Sequence, residues 1–310
     1  MKKKKITLAL GHDALGTTLP EQKKATRKAA KAIADLVQDE CQVVITHSNG
    51  PQVGMIHTAM SEFHRLYKEY TATPMSVCSA MSQGYIGYDL QNAIRAELIS
   101  RGVYKTVSTV LTQVIVDPYD DAFYAPSKII GRVMNKQDAE EEEHKGNHVV
   151  AAEGGYRRIV AAPKPMEIVE IDAVRALLSA DQIVIAAGGG GIPVLSQGYE
   201  LKGASAVIEK DLAAGLLADE VNADVLILLT DQEYAYRDYG SDSASAIRDI
   251  SCKEAEQLLT DGHFGAGTMA PKFETALKFI SDSAVRQVII TRLDCMRDAL
   301  DGNTGTHIHK

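Results

Sequence analysis

The chain reads as an α/β protein, a three-layer αβα sandwich around a mainly parallel central sheet. Three observations predict this. Short apolar runs rich in β-branched residues, at Ile6–Leu10, Val43–Thr46, Ile183–Ala187, Val225–Thr230 and Gln287–Thr291, alternate with stretches of helical period. Strands that alternate with helices build parallel sheets covered on both faces. Three of the runs end in turns that carry glycine, at Gly11, Ser48-Asn49-Gly50 and Gly188–Gly191, and the carboxyl ends of strands are where open α/β sheets bind ligands.

The bulk properties narrow the function classes. Hydrophobic residues make up 45% and charged residues 24% of 310 residues, which suits one large unit. We expect a single domain over 1–310 with a lobe inserted at about 117–165. The net charge is −8 with no basic half, which argues against general nucleic-acid binding. Cys41, Cys78, Cys252 and Cys295 are scattered without a C-x-x-C, so they read as reduced thiols in a cytoplasmic protein and not as metal ligands. Lys2–Lys5 followed by Ile6–Leu10 imitates a secretory leader, but the apolar run stops short of the ~7–15 residues such a leader needs. No run approaches the ~20 apolar residues of a membrane span.

In chain order, Ile6–Leu10 is a buried strand and a helix follows from about Pro20 to Val37. Val43–Thr46 is the second strand, and its turn, His47-Ser48-Asn49-Gly50, opens a helix to about Tyr70. Thr73-Pro74 suits the cap and first turn of a long helix, Met75 to Arg101, closed by Gly102. Gly84 and Gly87 inside it cost stability, so they imply close packing against another element or subunit. Val107–Val116 reads as one strand.

From Asp117 to Pro165 the alternation stops. This is the inserted lobe, in which Glu140–Glu143 reads as a solvated helix face. Lys128 and the Tyr156-Arg157-Arg158 segment are its candidate ligand contacts. A helix over Asp172–Ser179, the glycine strand, a hairpin through Tyr199–Val207, an amphipathic helix over Asp211–Val221 and the strand Val225–Thr230 come next. Tyr234, Tyr236 and Tyr239 form an aromatic cluster able to flank a base. Ser251 and Glu254 have capping-box spacing, and Gly265–Lys272 is a glycine loop that opens a helix.

The chemistry begins at Gly188–Gly191. Four consecutive glycines remove every side chain after a buried strand. Such a backbone can approach a ligand closely and aim several N–H groups at one anion; a ligand-free tight turn would need only one. The turn is no dinucleotide fingerprint, because the third glycine position falls on Pro193. Gly11–Thr18 is a near miss to a P-loop, with Thr17 where the lysine belongs. Phosphate chemistry must therefore draw its cations from elsewhere, and Lys128, Lys210 and Lys272 each sit beside a special turn. There is no Ser-His-Asp arrangement, no H-E-x-x-H and no Cys/His metal spacing. The inventory fits phosphoryl transfer, which asks mainly for positioning and positive charge.

Six segments in order, Ser48–Gly54, Ser82–Gly87, Tyr156–Val160, Gly188–Pro193, Ala206–Asp211 and Met269–Lys272, resemble the carbamate kinase family, over Leu8 to Thr306. The resemblance implies an amino-acid-kinase fold, a homodimer, and reversible phosphoryl transfer between ATP and carbamate with Mg2+, in arginine metabolism or a related fermentation. By motif position Lys128, Lys210 and Lys272 would neutralise the moving phosphoryl group and Asp211 would hold the lysines in register. Gly11, His12, Asp13, Ser48, Asn49, Gly50 and Arg158 would meet carbamate or carbamoyl phosphate. Gly188, Gly189, Gly190, Gly191, Thr230, Asp231, Tyr236 and Met269 would lie on the ATP/ADP side.

The chain departs from the family pattern where the acceptor should sit. Gly-Gly-Asn-Ala becomes Gly11-His12-Asp13-Ala14, and Gly-Asn-Gly becomes Ser48-Asn49-Gly50. Asp13 puts a carboxylate where an amide is expected, and His12 and Ser48 add bulk. Three readings follow: a carbamate kinase, a paralogue with another small-acid acceptor, or a silent nucleotide-binding protein.

Overall fold

The computed structural model describes residues 3–265, 268–281, 283 and 285–310, and only the backbone of Asp13. Among the described residues eight strands form the central sheet. Their order is Asp249–Ser251, Thr306–His309, Gln287–Thr291, Val225–Leu229, Lys5–Leu10, Gln42–His47, Ile183–Ile185 and Val107–Thr109. Every neighbouring pair is parallel except Thr306–His309 against Gln287–Thr291. The helices, in chain order, are α1 (Leu19–Gln38), α2 (Gly50–Leu66), α3 (Met75–Ser100), α4 (Lys136–His144), α5 (Ile171–Ser179), α6 (Lys210–Glu220), α7 (Cys252–Thr260), α8 (Ala270–Ser281) and α9 (Met296–Leu300).

The sheet separates two cores, and the pleat decides which residue enters which. Ile6, Leu8, Leu10, Ile227 and Leu229 pack with Ile33 and Leu36 of α1 and Ile86, Leu90 and Ile94 of α3. The intervening residues Ala9, Leu226 and Leu228 face Leu217 of α6 and Phe273 and Phe279 of α8. Successive side chains point to opposite faces of a strand. With both faces buried, the strands have to be apolar throughout, which is why the sequence shows runs and not alternation. Capping boxes start two helices: Thr18 with Glu21 at α1, and Ser251 with Glu254 at α7.

Four sequence expectations need correction. Val107–Val116 is two strands, because Gln83 takes the N–H of Thr112 (2.9 Å) while its carbonyl already accepts from Ile192 N (2.8 Å), so the chain changes sheets at this residue. Val107–Thr109 stays in the central sheet, while Gln113–Val116 joins Ile192–Gln197, Glu200–Gly203 and Pro165–Ile168 in a second sheet. Helix α6 is not amphipathic; Asp211, Ala213, Ala214, Gly215, Leu217 and Ala218 are all buried, since it is wedged among the sheet, α8 and the glycine turn. At the start of α3 the capping position falls to Pro74, without a side-chain bond from Thr73. Glu142 leaves the solvated face of α4 and turns inward, its carboxylate 3.4 Å from Arg158 Nε.

Within 117–165, the strands Lys128–Met134, Gly155–Val160 and His148–Ala152 form an antiparallel sheet with α4 beside it. Ile130 and Val160 attach it to the body by packing on Val53 and Ile56 of α2 and Met75 and Cys78 of α3. Only a backbone without a side chain fits at the nearest approach, where a Cβ on Gly54 would lie 3.0 Å from Gly131 Cα.

The two glycines of α3 differ. A Cβ at Gly87 would meet Thr109 Cγ2 at 2.4 Å, whereas Gly84 faces open space. Gly87→Ala should therefore destabilise the fold by about 1–3 kcal/mol through overpacking. Gly84→Ala should stabilise it by up to about 1 kcal/mol through helix propensity. Urea unfolding of the two variants checks the contrast, and equal shifts would contradict it.

Candidate active site

The strands Lys5–Leu10, Gln42–His47, Ile183–Ile185 and Val225–Leu229 are parallel neighbours, so their following turns gather at one edge. The Gly188–Gly191 turn is built from left-handed backbone: Ala187, Gly189, Gly190 and Gly191 have φ of 51°, 68°, 90° and 90°. Its glycines are required chiefly by packing. Cβ atoms on them would fall 2.3 Å from His47 Nε2, 2.0 Å from Asn49 Nδ2, 2.3 Å from the Ile208 carbonyl oxygen and 2.2 Å from Val114 Cγ2. The turn is thus pressed against the Ser48–Gly50 turn, with Gly189 lining the cavity beyond it.

Polar side chains from α3 brace both turns. Gln83 Nε2 donates to the Gly188 carbonyl at 3.0 Å and Asn49 Nδ2 donates to Ser82 Oγ at 2.8 Å. Thr112 Oγ1 accepts from Ala187 N at 3.0 Å. Gln52 Nε2 donates to the Gly16 carbonyl at 3.1 Å and steadies the loop that carries His12. Of these braces, Ser82 and Gln83 stood in the sequence as helix-interior residues beside Gly84. The Ser82–Gly87 segment is marked by its resemblance to the family, but the bracing role of these two side chains is not.

At the start of α6 lies a fully bonded charge cluster. Asp211, 3% exposed, accepts from Lys210 Nζ at 2.6 Å through one oxygen and from Lys272 Nζ at 2.7 Å through the other. Burial would raise the Asp211 carboxyl, but the two ammonium charges prevail and hold it at about 2. Burial pushes Lys210 down against the pull of the same carboxylate. Lys272 comes from the first turn of α8, 61 residues away. Lys128, at the start of a lobe strand, is ion-paired with Glu209. Among the described residues this is the ion pair that links Lys128–Val160 to the rest of the chain.

A cavity of about 860 Å3 joins these pieces. His12, Ser48, Asn49, Gly50, Lys128, Gly189, Glu209 and Lys210 line it, together with Arg132 and Arg157. Not every expected site residue reaches it. Gly11, Thr230 and Asp231 line a separate cavity of about 320 Å3 with Lys28 and Arg292. Tyr236 contacts Tyr239 at 5.7 Å between centroids. Tyr234 leaves that cluster, because its ring is buried under Arg248 and its hydroxyl bonds that guanidinium. Met269 packs on the core beside α8. Ala266 and Gly267 of the loop before α8, and the Asp13 side chain, lie outside the described residues. Arg158 faces away from the lysines, toward Asn147, Glu142 and His57.

His47 is a residue the sequence reading passed over. It is 1% exposed. Its Nδ1 lies 2.9 Å from the Ser48 carbonyl, which can only accept, so Nδ1 carries the proton and Nε2 offers a lone pair beneath Gly188. Burial lowers its pKa to about 4, leaving a neutral ring beside the lysines.

With this geometry in view, the comparisons with known proteins are consistent. The profile of the amino acid kinase family matches residues 9–292, and the chain belongs to that family. A carbamate kinase-like protein, YqeA of Escherichia coli strain K12, is 47% identical over 98% of this chain and 99% of its own. The carbamate kinase of Staphylococcus haemolyticus is 43% identical over 99% of each chain. The structure of Giardia lamblia carbamate kinase bound to AMP-PNP superposes with a TM-score of 0.93 at 35% identity, over 99% of both chains. Within the amino acid kinases, the chain is a member of the carbamate kinase group.

The charge cluster sets an acid-stability pattern. His47 is depressed from 6.5 to about 4, so its contribution is present above pH 6.5 and is lost as pH falls toward 4. Asp211 is depressed from 3.8 to about 2, so its contribution is present above 3.8 and is lost as pH falls through 2. At about 1.4 kcal/mol per pKa unit these amount to roughly 3–4 kcal/mol for His47 and roughly 2–3 kcal/mol for Asp211. Urea midpoints measured from pH 8 to 2 should decline in both windows. In His47→Gln the decline between pH 6.5 and 4 should become shallower, leaving the part due to His57, whose pKa burial also lowers, and an unchanged profile would refute the assignment.

Proposed function

We propose that this chain catalyses reversible phosphoryl transfer between ATP and carbamate, and works chiefly as a maker of ATP from ADP and carbamoyl phosphate. The observation that carries the reading is the Asp211 carboxylate bonded to both Lys210 and Lys272, behind a cavity whose wall includes Lys210 and Lys128. In the synthetic direction a carbamate oxygen attacks the γ-phosphorus, its bond to phosphorus forms, the bond to the bridging oxygen breaks and ADP leaves. The reverse reaction retraces that path. Negative charge on the moving group is met by Lys128, Lys210 and Lys272; Asp211 holds the last two in place and Glu209 pairs with the first.

The Ser48-Asn49-Gly50 turn and His12 would hold the carbamoyl phosphate end, with Gly11 and Asp13 behind them. The Gly188–Gly191 turn, Thr230, Asp231, Tyr236 and Met269 would flank the nucleotide. Mg2+ fits as an ion carried by the nucleotide phosphates: both Asp211 oxygens are taken by lysines, and Glu209 is the described carboxylate that lines the cavity. When bound, it would neutralise phosphate charge. His12 in the cavity wall also favours a second reading, the same transfer to a different small acid.

We further place the protein in the cytoplasm as a homodimer. Its four cysteines are unpaired, which suits a reducing compartment. Among the described residues no helix is long and apolar enough to cross a membrane. On α3, Val77 (46% exposed), Met81 (43%) and Tyr88 (70%) fall with Gly84 on one helical face, a surface suited to a second copy.

Purified protein given ADP, Mg2+ and carbamoyl phosphate should form ATP. Lys210→Ala should lower that rate about 100-fold or more, as loss of one preorganised transition-state charge does. Absence of ATP from carbamoyl phosphate, with ATP formed from another acyl phosphate, would select the second reading. In a separate test, Tyr88→Glu should shift the mass measured by light scattering from dimer to monomer. A wild-type monomer would remove the dimer from the proposal.

A further inference from the structure

Helices α6 and α8 meet at the charge cluster, Lys210 and Asp211 in the first turn of one and Lys272 in the first turn of the other. A second cavity, of about 420 Å3, runs along the seam between these two helices. Among the described residues it shares no lining residue with the main cavity. Leu212, Leu216, Leu277, Phe279 and Pro165 make its wall apolar. Gly215 and Thr275 also line it, and a Cβ on Gly215 would lie 2.5 Å from Thr275 Cγ2. The helices therefore touch at that point without a larger side chain between them. Seams between helices are usual places for small-molecule sites, which are mostly apolar and have volumes of roughly 300–1,000 Å3.

The charges around this cavity do not balance. Lys164, Asp219, Glu274 and Lys278 line it. Asp219 is answered by Arg286, whose Nη1 lies 2.7 Å from its carboxylate and whose guanidinium covers the Phe279 ring at 4.7 Å. Lys164, Glu274 and Lys278 are exposed, so they stand at the mouth, and among the described residues none of them has an ion-pair partner. Glu274 precedes Lys278 by one helical turn and can offset one of the two lysines. One positive charge is left at the mouth of an apolar enclosure.

We infer that the α6–α8 seam is an effector site for a small amphipathic monoanion, an apolar chain with a single carboxylate head. The chain would lie on the leucines and Phe279, and the head would meet Lys164 and Lys278. Lys164 stands where the lobe returns to the body, its backbone N–H held by Asp120 Oδ2 at 2.9 Å. A head group between the two lysines ties that return to α8. A chain in the seam fixes the spacing of α6 and α8, on which the Asp211–Lys272 bond depends. The effect on catalysis rests on the phosphotransferase reading, whereas the binding does not.

The experiment measures Tm for wild type, Lys278→Glu, Lys278→Arg and Leu216→Glu with hexanoate, hexanol, hexylammonium or acetate. A ligand that binds only the folded state raises Tm as its occupancy grows. Hexanoate should give wild type a saturating rise and hexanol less than half of it. Acetate lacks the chain and hexylammonium has the opposite charge, so neither should match it. Lys278→Glu should leave the ligand-free Tm nearly unchanged and lose the hexanoate rise, while Lys278→Arg keeps it. Leu216→Glu, with a carboxylate in the wall, should lose it too. Saturating hexanoate should change the wild-type rate of ATP formation at least twofold and leave that of Lys278→Glu unchanged. Binding without a change in rate would overturn the effector role. A protein that forms no ATP at all would overturn the functional reading, yet a hexanoate rise lost in Lys278→Glu would still uphold the site. An equal rise with hexanol refutes the anionic head, and an equal rise with acetate assigns the anion to the main cavity. No rise in wild type, or one that survives in both Lys278→Glu and Leu216→Glu, overturns the inference.

Discussion

The site depends on one carboxylate. Asp211 is buried, and both its oxygens are taken by ammonium groups that reach it from different parts of the chain. Without it, Lys210 and Lys272 would be two like charges facing each other in a poorly solvated place. With it, each ammonium group has a bonded counter-ion and a fixed position. The same contact ties α8 to α6, so two of the helices that cover one face of the sheet are joined beside the cavity.

The arrangement around that carboxylate follows from parallel topology. Parallel strands bring several turns to one edge, and no single turn needs to hold the whole site. Here each turn is stripped of bulk for a local reason. Gly188–Gly191 makes room for His47, Asn49, Ile208 and Val114, and Ser82 and Gln83 on α3 complete the bonds that the turns leave open. The precision of the cavity wall therefore comes from the helix layer as much as from the loops.

The fold was largely legible in the sequence, because strands buried on both faces must be apolar without interruption. Lys210, Asp211 and Lys272 were legible as candidates for a similar reason: charges beside glycine turns need a purpose. Other features depend on contacts that no local pattern encodes. The break at Thr112 is imposed by a glutamine 29 residues earlier. The inward turn of Glu142 is imposed by Arg158 from a neighbouring strand. His47 looked like one more residue of a polar turn, and only the packing of Gly188 against its ring reveals a neutral, buried imidazole. The two arginines of the lobe could not be ranked by position alone, since strand geometry sends them apart.

The Lys128–Glu209 pair has one more implication, seen by counting charges. Around the cavity and the cluster behind it, the described side chains set Lys128, Lys210, Lys272 and Arg157 against Glu209 and Asp211. Arg132 and Asp138 cancel each other. The balance is two positive charges in surplus, which equals the charge of a fully ionised phosphate monoester. A ligand bearing one negative charge would leave the enclosure electrostatically incomplete, while a dianion would bring it to neutrality. Valence can thus act as a first filter in the direction of ATP formation, before shape, favouring an acyl phosphate over a lone carboxylate. A monoanionic acceptor such as carbamate would reach the same balance only together with charge from the nucleotide phosphates.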